Sequence, residues 1–160
     1  IIIFTLFNNL SIAEENIMIL KLKNGDVVIE LFKDIAPNHV KRFQNLAKEK
    51  KYDGVVFHRV IAGFMAQTGD VQFGNSNSTN YDLKRAGTGG SEYPDLKAEF
   101  SELPHERGTL SMARSADPNS ANSQFFICFK SVPSLDRQYT VFGKVINGME
   151  YIDDLEKERL

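Results

Sequence analysis

A single cysteine excludes any disulfide within the chain, and its place in the apolar run Phe125-Phe126-Ile127-Cys128-Phe129 marks Cys128 as a buried, inert thiol. An excess of either charge is also missing: 19 Lys and Arg stand against 21 Asp and Glu, a formal −2. The basic residues are scattered, so the chain lacks the electrostatic footprint of a nucleic-acid binder. Three histidines, His39, His58 and His105, lie far from one another and from other ligands at metal spacing, and no metal is expected. The opening apolar run of residues 1–7 is too short to cross a bilayer, and no stable membrane insertion is expected. There is no internal repeat, low-complexity tract or heptad pattern. No Gly-x-Ser-x-Gly elbow occurs, and Ser111 has the apolar flanks of a strand, which excludes serine hydrolysis. Gly87-Thr88-Gly89-Gly90 is followed by neither Gly-Lys-Ser/Thr nor a helical pattern, so it reads as a turn rather than a phosphate loop.

What is present fits one domain: 160 residues, 42% hydrophobic and 25% charged, enough for a single core. Residues 1–15 read as an extension. Residues 1–7, followed by Leu10 and the small residues of Ser11-Ile12-Ala13, resemble the end of a secretory signal peptide. A periplasmic or secreted location is the expectation, with a cytoplasmic protein carrying an N-terminal extension as the alternative. From residue 16 the folded pattern begins. Residues 17–23 and 27–32 are β-rich runs flanking Asn24-Gly25-Asp26, a hairpin signal. Pro37 suits a first helical position, and Val40, Phe43, Leu46 and Ala47 recur at helical spacing as far as residue 50. Further strands are expected at 55–61, 64–68, 109–113, 123–129 and 140–145, and a second helix at about 149–158. Residues 70–90 are polar and rich in Gly, Asn and Ser, which predicts a long ordered surface loop of the kind that borders sites. A closed antiparallel barrel with helices over its openings would hide so many strand edges.

Residues 57–70, FHRVIAGFMAQTGD, form two β-like runs hinged at Ala62-Gly63. Period-two alternation puts Phe57, Arg59 and Ile61 on one face, an apolar setting for an arginine that alternation alone leaves open between a salt-bridged and a functional group. Gln124 and Phe126 share a face farther on, and residues 132–143 join the next strand through a short helical turn.

These segments together resemble the cyclophilins. FHRVIAGFMAQTGD, AGTGG, LSMARS, NSQFFI and VFGKVINGM follow in the family's order, and the likeness runs from about residue 17 to residue 160, closest in spelling to bacterial members. The resemblance implies a mainly β fold, a closed eight-stranded antiparallel barrel capped by two helices, over residues 16–160. It implies peptidyl-prolyl cis-trans isomerase activity that assists protein folding and uses no cofactor. Arg59 matches the family's key catalytic group. Phe64, Met65, Phe126 and Leu135 match the pocket for the proline ring, Gln67, Ala113, Arg114 and Gln124 the peptide groove, and Gly87 the turn beside an adjoining pocket. Partners would be proline-containing peptides and unfolded or folding proteins.

Three departures modify the expectation. Ser134 stands where many eukaryotic members have the tryptophan that contacts cyclosporin, which predicts weak cyclosporin binding. Tyr139 stands where those members have a histidine near the substrate, so activity should survive with altered preference. Family members continue past the second helix into a closing strand, so either the barrel has an exposed edge or, as expected here, the native chain continues past Leu160. A monomer is expected because no apolar helix face stands out. The rival class is a proline-peptide binding module or chaperone without catalysis, and the retained Arg59 argues against it.

Overall fold

The computed structural model describes residues 16–159. The 1–15 extension and its expected signal-peptide character lie outside the described residues. Seven strands make one antiparallel sheet: β1 (Ile17–Leu22), β2 (Gly25–Leu31), β3 (Arg59–Ile61), β4 (Met65–Thr68), β5 (Thr109–Met112), β6 (Phe125–Cys128) and β7 (Val141–Asn147). Their spatial order is β1-β2-β7-β5-β6-β4-β3, so β7 alone joins the β1–β2 hairpin to the other four. Two helices accompany them among the described residues, α1 (Pro37–Lys48) and α2 (Met149–Arg159). The mainly β fold with two helices is as expected. Seven of the eight expected strands lie among the described residues, with the free edges at β1 and β3.

The β1–β2 hairpin turns where Asn24-Gly25 predicts, pairing Leu22 with Gly25. Pro37 does begin α1, and the helix start is completed from a distance: the Glu99 carboxylate accepts from the Asn38 and His39 N–H groups at 3.1 and 3.0 Å. These are among the donors that a helix N-terminus leaves unsatisfied. Its buried face then carries Val40, Phe43 and Leu46 at helical spacing. Phe43 meets Tyr52, Phe125 and Phe142 at ring separations of 5.1–5.4 Å, which ties α1 to β6 and β7.

Alternation divides the strands between two apolar clusters. Ala66, Phe125 and Ile127 join Leu110, Met112 and Phe142 in the main core, whereas Met65, Phe126 and Cys128 face the other way. Phe64, Ala113, Val132, Leu135 and Tyr139 pack on this second cluster. Both faces of β6 are thus covered, which is why residues 125–129 are apolar without a break.

Several strands are shorter than expected, and the one expected at 55–61 is cut back most. Residues 55–58 are not part of β3, because the 70–76 loop takes their hydrogen bonds: Val56 N–H donates to the Gly74 carbonyl at 2.9 Å, and Ser76 N–H donates to the Gly54 carbonyl at 2.9 Å. Phe57 consequently turns to the main core while Arg59 and Ile61 remain exposed, so the three do not share a face.

Candidate active site

The second apolar cluster floors a surface hollow of about 140 Å³. Arg59, Phe64, Met65, Gln67, Ala113, Arg114, Phe126, Leu135 and Tyr139 line it. Gly87 and Gln124, the other two residues singled out from the sequence, line an adjoining hollow of about 300 Å³. Gln67, Ala113 and Arg114 border both, so the two form one continuous groove. The structure therefore brings all eleven candidates together.

Strand register supplies the placement. Arg59 on β3 pairs with Gln67 on β4, and Gln67 pairs with Phe126 on β6. A relay of hydrogen bonds crosses the groove along that line. Arg59 Nη1 donates to Gln67 Oε1 at 3.3 Å, Gln67 Nε2 donates to Gln124 Oε1 at 3.0 Å, and Gln124 Nε2 donates to the Gly89 carbonyl at 2.7 Å. Each amide is oriented by the next, and the guanidinium keeps four of its five N–H groups for a ligand. The turn between β3 and β4 is held from α2: Gly63, at φ 69°, donates its N–H to Glu156 Oε1 at 2.5 Å.

Two supports carried no signal in the sequence reading. His105 is fully buried behind the hollow, stacked on Phe126 at 6.1 Å and edge-on to Tyr139 at 6.5 Å. Its Nδ1 lies 3.0 Å from Asp136 Oδ1 and its Nε2 lies 2.9 Å from Ser111 Oγ. This is the residue trio of a serine hydrolase, but Ser111 is wholly buried and its hydroxyl donates to the Thr140 carbonyl at 3.0 Å, out of reach of any substrate. The trio braces β5, the 132–140 segment and the Phe126 ring against one another. Only contacts formed after folding reveal it.

The second support is Asp70, also fully buried. Its Oδ1 accepts from the Gln72 and Phe73 N–H groups at 3.0 and 2.9 Å, and its Oδ2 accepts from Gly87 and Gly89 at 2.8 and 2.9 Å. Burial would raise its pKa, but these four backbone donors together hold the carboxyl below its ordinary value. Gly89 must lack a side chain here, since a Cβ would come 2.5 Å from Asp70 Oδ1. Beside Arg59, the His58 ring packs on Gly87, and burial lowers its pKa in spite of Asp70.

The family described as cyclophilin type peptidyl-prolyl cis-trans isomerase/CLD matches residues 17–160. A probable peptidyl-prolyl cis-trans isomerase of Brucella suis biovar 1 is 60% identical over 143 residues, 89% of this chain and 72% of its own length. A peptidyl-prolyl cis-trans isomerase of Helicobacter pylori is 42% identical, over 86% of this chain and 77% of its own. Among solved structures, a cyclophilin type isomerase of Cryptosporidium parvum, crystallised in the presence of the dipeptide Ala-Pro, superposes with a TM-score of 0.74. It is 34% identical, covering 86% of this chain and 83% of that one.

Proposed function

This chain belongs to the cyclophilin family of peptidyl-prolyl cis-trans isomerases, enzymes that accelerate rotation about X-Pro bonds, and on that premise we propose that Arg59 is its catalytic group. The observation that carries this reading is a guanidinium, bonded to Gln67, on the rim of a hollow floored by apolar side chains. Proline-containing segments of folding or unfolded proteins are the proposed partners. The Ala-Pro dipeptide present with the Cryptosporidium parvum relative supports that class of ligand.

The barrier to be lowered is that of amide rotation, about 18–20 kcal/mol, and it arises from partial double-bond character in the C–N bond. As the bond twists, conjugation is lost and the prolyl nitrogen regains a lone pair. A cationic donor aimed at that nitrogen stabilises the twisted state more than the planar one. Arg59 supplies such a donor without proton transfer, because guanidinium stays charged throughout the accessible pH range. The Gln67–Gln124–Gly89 relay sets its direction. Phe64, Met65, Phe126 and Leu135 hold the ring and exclude water, while Gln67, Gly87, Ala113, Arg114, Gln124 and Tyr139 border the rest of the peptide. A 10⁵-fold acceleration requires about 7 kcal/mol, within reach of one oriented donor together with positioning. Ser134, exposed on the 3-10 turn Pro133–Leu135, offers neither ring nor indole N–H, so cyclosporin is expected to bind weakly.

The deciding experiment compares X-Pro isomerisation by the wild type and by Arg59→Ala, with the fold checked by circular dichroism. Loss of one such donor should lower kcat/KM about 10²–10³-fold in a folded protein. Undiminished turnover in the variant would remove Arg59 from the mechanism. No turnover by a folded wild type would leave a proline-peptide binder.

A further inference from the structure

The charge on the groove walls is one-sided. Of all the residues lining the two hollows, Arg59 and Arg114 carry charge and none is acidic. This local excess of two positive charges stands in a chain whose formal net charge is −2. Two other surface arginines are neutralised, Arg107 by a two-point pair with Asp153 and Arg137 by Glu102, whereas Arg85, outside the groove lining, lies over the Phe73 ring. Among the described residues, neither Arg59 nor Arg114 has a carboxylate at ion-pair distance. Arg59 donates to an amide oxygen. Arg114 lies over the Tyr139 ring, 4.5 Å from its centroid, and its Nε and Nη2 donate to the Gln138 carbonyl at 3.0 and 2.7 Å. Nη1 donates to the Ser115 carbonyl at 3.0 Å.

Asp136 and Asp117, on the flanking loops, keep their charge but are bonded to backbone N–H groups rather than to Arg114. Asp136 accepts from the His105 N–H at 2.7 Å, and Asp117 accepts from the Asn119 N–H at 2.8 Å. Neutral carbonyls and a ring face hold the Arg114 guanidinium in place without cancelling its charge. One N–H of Nη2 remains free for a ligand. The residue borders both hollows, so a peptide with its proline ring in the first and its chain running into the second passes this cation with the residue next to proline.

We propose that Arg114 is a specificity-determining residue that makes the groove favour proline segments with acidic neighbours over those with basic ones. The proposal rests on the reading of this groove as the X-Pro site. A carboxylate next to proline gains a charge-assisted contact and favourable steering, and an ammonium there meets two cations without carboxylate partners. Exposed charge interactions are modest and are screened by salt.

The test uses three peptides, Ala-Glu-Pro-Glu-Ala, Ala-Gln-Pro-Gln-Ala and Ala-Lys-Pro-Lys-Ala, blocked at both ends. Dissociation constants come from NMR titration, and exchange spectroscopy on the same samples reports turnover separately. The expected result at low ionic strength is about 3–5-fold tighter binding of the Glu than the Lys peptide, shrinking toward parity near 1 M salt. Arg114→Gln should lose most of that ratio, and Arg114→Lys should keep it, which separates charge from loop disruption. Equal binding of the Glu and Lys peptides by the wild type, or a ratio unchanged in Arg114→Gln, would overturn the proposal. A preference that persists without turnover would uphold it and count against the catalytic reading alone.

Discussion

The two hollows of the groove are built by different physics. The first is assembled from strands and filled from behind by side chains: Met65, Phe126 and Cys128 are almost fully buried, and Leu135 and Tyr139 pack over them. The second is assembled from loops, and its wall is shaped by polar groups, one of them fully buried. Asp70 gathers four backbone donors, and Asn122 Oδ1 accepts from both the N–H and the hydroxyl of Ser91 at 2.7 Å. Apolar packing tolerates small shifts and gives a dry receptacle for a ring. Directional bonds around a charge hold a long loop at the cost of leaving every donor dependent on one acceptor.

If that contrast holds, the variant with the largest effect is Phe126→Ala. Removing a buried ring that bridges Met65, His105 and Tyr139 should cost about 3–5 kcal/mol, read as a lower denaturation midpoint, and should abolish isomerisation with it. Asp70→Ala should follow, at about 2–3 kcal/mol, because four backbone donors lose the buried acceptor they share. Its distinguishing mark is locality: hydrogen exchange should accelerate at Gln72, Phe73, Gly87 and Gly89 before the strands. A stability loss without that local signature would break the distinction between the hollows.

The same carboxyl makes a pH prediction. Its folded-state pKa lies below its unfolded value, so it stabilises fully above the ordinary carboxylate range and ceases to as the pH falls through the lowered folded value. The wild type should therefore lose stability on acidification over that interval, and Asp70→Asn should show less of this loss in urea melts recorded from pH 6 to pH 3. A smaller effect is expected from Glu156→Ala, which frees the Gly63 N–H in the turn carrying Phe64. It should lower kcat/KM by a few-fold, with Glu156→Gln close to wild type because an acceptor remains. The smallest effect concerns Cys128, whose thiol burial pushes up to about 12. Native protein at pH 7 should react with a thiol reagent far more slowly than unfolded protein, and rapid native labelling would show that the first hollow is not dry.

How much of this was legible in the sequence follows the same line. The hairpin at Asn24-Gly25, the helix begun by Pro37 and the strands of 109–113 and 123–129 were readable because period and turn chemistry are local. The strand expected at 55–61 shrank to Arg59–Ile61 because its first residues bond a loop about 20 positions away, which no local pattern records. The eleven groove candidates came from resemblance rather than alternation, which by itself left Arg59 undecided. His105 and Asp70 went unread as supports because each depends in part on partners far along the chain, Asp136 at 31 residues for His105 and Gly87 and Gly89 at 17 and 19 for Asp70.

The placement of β7 bears on how the molecule comes into being. It slots between β2 and β5, yet it is the last strand in chain order among those described. On a ribosome the β1–β2 hairpin and the β3–β6 group must each wait, with open edges, until residues 141–147 emerge and stitch them together. Distant pairing of this kind slows folding and exposes unpaired edges meanwhile. A peptidyl-prolyl isomerase is therefore itself a late finisher, its two half-sheets most in need of protection just before synthesis reaches its keystone strand.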